Sequence, residues 1–321
     1  MDMSHVLGNS RIQTFRLGLS LAVFATIISL ASCREKAAAA NDGQKTFTSS
    51  QEAGTALLEA AKSGNPSSLL EIFGPNGKEV LFSGDPVRDM NALKDFATAY
   101  ERMNRWVKIN AGGQMLYVGV ENFPFPIPLQ QNSSGHWFFN TAAGQDEILA
   151  RRIGKDELVA IAALGAIANA EQQYFNLAGN KVKQYAQKFV SDEGTHNGLY
   201  WPVSEGQDQS PLGQLGDFAK GAGYTKPGEK PQPFNGYYFR ILTKQGKTAK
   251  DGAKDYIVNG DMTGGFAILA YPAEYRNSGI MTFLIGKDGI VYQKDLGKGT
   301  VETAMAITEY NPGDGWKPVN E

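Results

Sequence analysis

The chain has 321 residues, 42% of them hydrophobic and 20% charged, which is the balance of a folded protein rather than a disordered one, and enough length for two cores. A formal net charge of −2, with both signs interspersed, excludes a general nucleic-acid binder, because neutralising phosphates takes clustered Lys and Arg. A single cysteine, Cys33, leaves the remaining chain without disulfides, thiolate catalysis or cysteine metal sites.

Arg11 and Arg16 precede an apolar run from Leu17 to Leu30, right for a signal-peptide core and short for a bilayer span. With Leu30-Ala31-Ser32-Cys33 behind it, the run resembles a bacterial lipoprotein signal over residues 1–32. The resemblance implies that Cys33 is lipidated, that the preceding peptide is removed, and that the chain is exported and anchored to a membrane. Arg34 after the cysteine matches the sorting pattern for the outer membrane, facing the periplasm.

Residues 33–46 are small and polar and read as a tether. An N-terminal domain is expected over 47–152. Ser49 and Glu52 form a capping-box pair ahead of Ala53, Ala56, Leu57 and Ala60. Gly64-Asn65-Pro66 punctuates a second helix closed by Gly74-Pro75, and Asp85-Pro86 opens a third. Strands follow at Trp106 to Asn110, Gln114 to Val120 and Gly135 to Asn140, with the three prolines of 123–128 confined to an edge or extended crossing. Helices followed by a curved antiparallel sheet make an α+β unit, similar in element order to cystatin-like and nuclear-transport-factor-2-like folds.

A C-terminal domain is expected over 153–321, with the boundary near Arg151-Arg152-Ile153-Gly154. Asp156 is predicted to cap a long helix with Leu158, Ile161, Ala162, Gly165, Ala168, Gln172 and Phe175 on one face, ending at Gly179-Asn180. Val182, Tyr185, Ala186 and Phe189 have the spacing of a shorter helix. A loop-rich stretch from Pro202 to Pro233 holds a short helix near Leu212 to Lys220. An antiparallel meander is then expected at 236–243, 255–258, 266–271, 280–285 and 290–294, with Gly286-Lys287-Asp288-Gly289 as a hairpin turn and a closing helix at 300–308. A long helix before such a sheet resembles the globular part of pilins and pseudopilins, without a prepilin leader or membrane half-helix before Leu158.

Trp137 to Gly144, Arg151 to Gly154, Gly198 to Pro202, Gly236 to Leu242 and Val291 to Leu296, taken in order, are similar to the bacterial family known as domain of unknown function 2950. That resemblance spans about Lys45 to Pro318 and implies an envelope location but no activity or catalytic residue.

The chemistry-bearing motifs are mostly missing. His136 and His196 lack ligand spacing, so no metal and no cofactor is expected. There is no Gly-x-Ser-x-Gly, no Ser-x-x-Lys and no phosphate-binding glycine loop. Asp146-Glu147, Asp156-Glu157 and Asp192-Glu193 read as helix-start or solvated charges. The suggestive cluster is aromatic: Tyr200, Trp201, Tyr238 and Arg240 are the residue types that anchor interfaces or stack on sugars, the alternative being that such aromatics fill a sheet's inner face. The expected function is therefore a lipid-anchored, non-catalytic binding or assembly component with an envelope protein or cell-wall glycan as partner. The competing reading is an envelope hydrolase for glycan or peptide with dispersed active-site residues.

Overall fold

A computed structural model describes residues 43–110, 112–177, 182–203, 209–221, 232–313 and 315–319. The signal stretch, Cys33, most of the tether and the Gly179-Asn180 helix end lie outside the described residues, as do 204–208 and 222–231 of the long loop.

The architecture is α+β with open antiparallel sheets among the described residues. Helix α1 (Ser50–Ser63) is capped by Ser49, whose hydroxyl accepts from the Glu52 N–H at 3.1 Å; the Glu52 carboxylate reaches back to Thr48 rather than to Ser49. Asn65 caps α2 (Pro66–Phe73), a short α3 (Gly77–Leu81) follows that the sequence reading lacks, and Asp85 caps α4 (Pro86–Arg102). These helices lie against a sheet of β1 (Asn104–Lys108), β2 (Gln114–Val118), β3 (Phe123–Pro124), β4 (Leu129–Gln131) and β5 (Trp137–Phe139) in the order β1-β2-β4-β5, with β3 on β2. The proline-rich crossing is thus held at its start by two residues of pairing, as a strand that cannot supply ladder donors must be. Gln44, expected in the tether, is buried and donates to the Ile72 and Phe139 carbonyls, so it belongs to the packed structure.

One helix, α5 (Thr141–Asn176), runs through the expected boundary. Asn140 caps it, so Asp156 is mid-helix and buried rather than at a start, and Leu158, assigned to the inner stripe, is 70% exposed. The buried face is instead Ala160, Ala163, Leu164, Ile167, Ala170, Glu171 and Tyr174. Residues 182–189 form no helix: Tyr185 bridges Met262 and Val190 bridges Tyr200, and this pairing across the fold overrides the local helical spacing.

Helix α6 (Gly213–Gly221) precedes the second sheet, made of β6 (Tyr237–Leu242), β11 (Ala267–Pro272), β12 (Met281–Gly286), β13 (Val291–Asp295) and β14 (Lys317–Pro318) in the order β14-β13-β12-β11-β6. The insertion between β6 and β11 folds into two small hairpins, β7 (Lys244–Gln245) with β8 (Lys254–Asp255) and β9 (Ile257–Val258) with β10 (Asp261–Met262). The second half of α5 packs on one face of this sheet, and α7 (Thr300–Ala306) lies over β11. Buried apolar residues fall into two clusters, one among α1, α2, α4 and the first sheet, the other between α5 and the second sheet. Trp316 packs against the second cluster, close to β14. No described helix is long and apolar enough to cross a membrane.

Candidate functional site

The structure separates the four aromatic and basic residues into two places. Trp201 is buried and stacks on the His196 ring at 4.2 Å, while the Tyr200 hydroxyl donates to Asp217 at 3.1 Å beside α6. Tyr238 and Arg240 stand on the other side of the second sheet from α5, since side chains two apart on a strand share a face. The Arg240 guanidinium donates to the carbonyls of Ala304, Met305 and Ile307, closing the C-terminus of α7, where a cation complements the exposed carbonyl dipoles. Tyr238 pairs across the strands with Tyr271, their rings 5.5 Å apart and half-buried. Arg240 is close enough to oppose the rise that burial imposes on the Tyr271 hydroxyl pKa. Tyr237 and Phe239 face α5, as the inner-face alternative requires; the Tyr237 hydroxyl donates to the Met281 carbonyl and is held far above its ordinary pKa by burial.

A second group of functional side chains escaped the sequence reading. Where α4 and α5 meet the loops of the second sheet, a seam of polar groups ties the two cores together. Arg88 donates through Nε to Asp156 Oδ1 at 2.8 Å, with the two side chains 14% and 1% exposed. Burial raises the Asp156 pKa despite that guanidinium, and Asp156 Oδ2 has no hydrogen-bond partner. One turn earlier on α5, Arg152 donates to the carbonyls of Glu79, Val80 and Phe82 and to Asn277 Oδ1. Desolvation, and then the neighbouring Arg88 charge, lower its pKa. Asp85 accepts from the Gly236 N–H, and Glu157 Oε1 accepts from the Ile280 and Met281 N–H groups at 2.9 Å. A signal existed for part of this: Arg152 and Asp156 sit four apart, on one face of a helix, once the helix is known to start at Thr141.

A cavity of ≈160 Å³ adjoins the seam in the N-terminal half. Its walls include Phe73, Phe96 and Phe125, with ring centroids 5.5 and 6.2 Å apart, together with aliphatic side chains of α1 to α5. Arg88, Asp89 and Arg152 supply its polar wall. Asp89 accepts from the Ser83 N–H and hydroxyl, and burial raises its pKa against those bonds. Ala92, one turn from Arg88, is the exposed residue of the lining.

Glu171 is a separate case. It is fully buried on α5, accepts from the Ala186 N–H at 2.8 Å through Oε2, and leaves Oε1 without a partner. Desolvation pushes its pKa up to about 8. Among the described residues no cluster of three or more His, Cys, Asp or Glu is arranged to hold a metal.

The model of the family described as protein of unknown function, DUF2950, matches residues 44–319. The chain belongs to that family. The matched span of this DUF2950 protein includes both buried clusters. No curated protein and no solved structure matches the chain.

Proposed function

We propose that this DUF2950 protein is an exported lipoprotein, acylated at Cys33, held at the outer membrane on its periplasmic side, and serving as a non-catalytic binding or assembly component for an envelope partner. The anchoring half rests on the basic residues, apolar run and Leu30-Ala31-Ser32-Cys33. Several acyl chains at ~0.8 kcal/mol per buried methylene hold a protein far more firmly than one.

The binding half rests on one observation: the Tyr238–Tyr271 pair, left half-open on the sheet face that α7 covers around Arg240. Paired tyrosines beside a fixed guanidinium present large, rigid contact area at little entropy cost, the chemistry of interface anchors and of stacking on sugar rings. A hydrolase would need carboxylates that a polymer can reach. The carboxylates with the largest rises in pKa, Asp156 and Glu171, are 1% and 0% exposed and serve internal hydrogen bonds.

Crosslinking in intact cells, followed by purification and mass spectrometry, tests the reading. The expected result is a specific envelope protein or glycan captured by the native chain and lost both in Cys33→Ala and in anchored Tyr238→Ala. Equal capture by Tyr238→Ala, or release of cleaved glycan or peptide by the native protein, would overturn it.

A further inference from the structure

The cavity beside the seam goes beyond partner binding at the second sheet. Its volume of ≈160 Å³ compares with the roughly 150 Å³ at which an apolar protein cavity takes up benzene. Three phenylalanine rings wall it, and aromatic walls favour a flat aromatic guest through edge and offset contacts.

The polar wall decides what the guest carries. Arg152 directs its η nitrogens to main-chain carbonyls and Asn277, so it acts as a fixed part of the wall. Arg88 gives only Nε to Asp156; no hydrogen bond among the described residues engages its η nitrogens, leaving those donors for a guest. The next residue, Asp89, has a carboxylate with two donors from Ser83, short of the roughly four it can accept. One lining residue offers a donor and the other an acceptor, and a hydroxyl can accept from the first and donate to the second. A carboxylate guest would meet Arg88 favourably but Asp89 with like charge, and a bare ring would use neither the η donors of Arg88 nor the remaining acceptor capacity of Asp89.

We propose that this cavity is a binding site for a neutral monocyclic aromatic bearing a hydroxyl, its ring among Phe73, Phe96 and Phe125 and its hydroxyl between Arg88 and Asp89. The guest enters past Ala92, and through Arg88 it touches the same seam that joins the two cores.

The test uses the purified full chain in detergent and fluorine NMR with 4-fluorophenol, fluorobenzene and 4-fluorobenzoate. The expected result is saturable binding of 4-fluorophenol at one per chain, about tenfold tighter than fluorobenzene, as one net hydrogen bond supplies. Ala92→Trp, which fills the mouth from an exposed position, abolishes that binding while circular dichroism stays native. Arg88→Met brings 4-fluorophenol down to the level of fluorobenzene. Binding unchanged in Ala92→Trp would show partition into detergent and overturn the site; 4-fluorobenzoate binding as tightly as the phenol would overturn the assignment of the hydroxyl to the Arg88–Asp89 pair. Either failure leaves the capture of an envelope partner through Tyr238 untouched.

Discussion

Glu171 shows how a single buried side chain sets a property of the whole fold. Folded, it keeps its proton up to about pH 8; unfolded, it releases it near 4.5. Between those values the native state binds more protons than the unfolded state, so stability falls as pH rises through that window and levels off above it, by up to roughly 1.4 kcal/mol per pH unit. Asp156, also raised by burial, acts in the same direction. Urea midpoints measured across that window should therefore climb on acidification, and Glu171→Gln should flatten the profile by adding stability at the alkaline end only. A native profile independent of pH would contradict the burial of an unpaired carboxyl. Glu171 was legible in principle: it falls three and four residues after Ala168 and Ile167, inside an apolar stripe. Arg88 and Asp89 were not, because nothing in their spacing says that α4 turns them toward a cavity whose other walls come from residues 57–152.

At the scale of elements, α5 carries the most information. Its amphipathic signal is blurred because its first half faces α3 and its second half faces β11 and β12, so the buried stripe is not continuous along one side. Two glycines of α5 have opposite surroundings. A Cβ on Gly144 would come within 2.5 Å of the Pro126 carbonyl oxygen and 2.7 Å of the Ile127 Cα, main-chain atoms that cannot yield cheaply. Gly144→Ala should destabilise by about 1–3 kcal/mol, despite the better helix propensity of alanine. Gly165 has open space where its Cβ would be, and Gly165→Ala should stabilise by up to about 1 kcal/mol. Denaturation of the pair checks the close crossing directly; equal effects would contradict it. Strands β6, β11, β12 and β13 of the second sheet were legible to within about a residue, because alternation and the Gly286–Gly289 turn are local signals, whereas β14 was not, and the strand expected at 255–258 is instead split between the two small hairpins. The absent helix at 182–189 shows the converse, since a bridge from Tyr185 to Met262 is invisible to local periodicity.

For the whole molecule, the seam is what makes two cores one structure. Arg152 joins the carbonyls of α3 and its following loop to Asn277, and Asn277 in turn donates to the Phe82 carbonyl at 2.7 Å and to Glu274. Arg152→Met keeps the aliphatic bulk but strands those carbonyls, and should cost about 3 kcal/mol or more. Calorimetry should then resolve two transitions where the native chain shows one, the first reporting the N-terminal core. A single transition with an unchanged midpoint would contradict the seam's role. The guest proposed beside Arg88 touches this junction, and Tyr238 lies on the second sheet, so the proposed guest and partner sites are separate.

The most direct measurement is the mass of the protein isolated with detergent from its own cells, taken first under native and then under denaturing conditions. The expected result is a denatured mass equal to the chain from Cys33 plus its acyl groups, and a native mass larger by a partner that denaturation releases. A chain that still begins at Met1 with unmodified Cys33, and whose native and denatured masses agree, would contradict it.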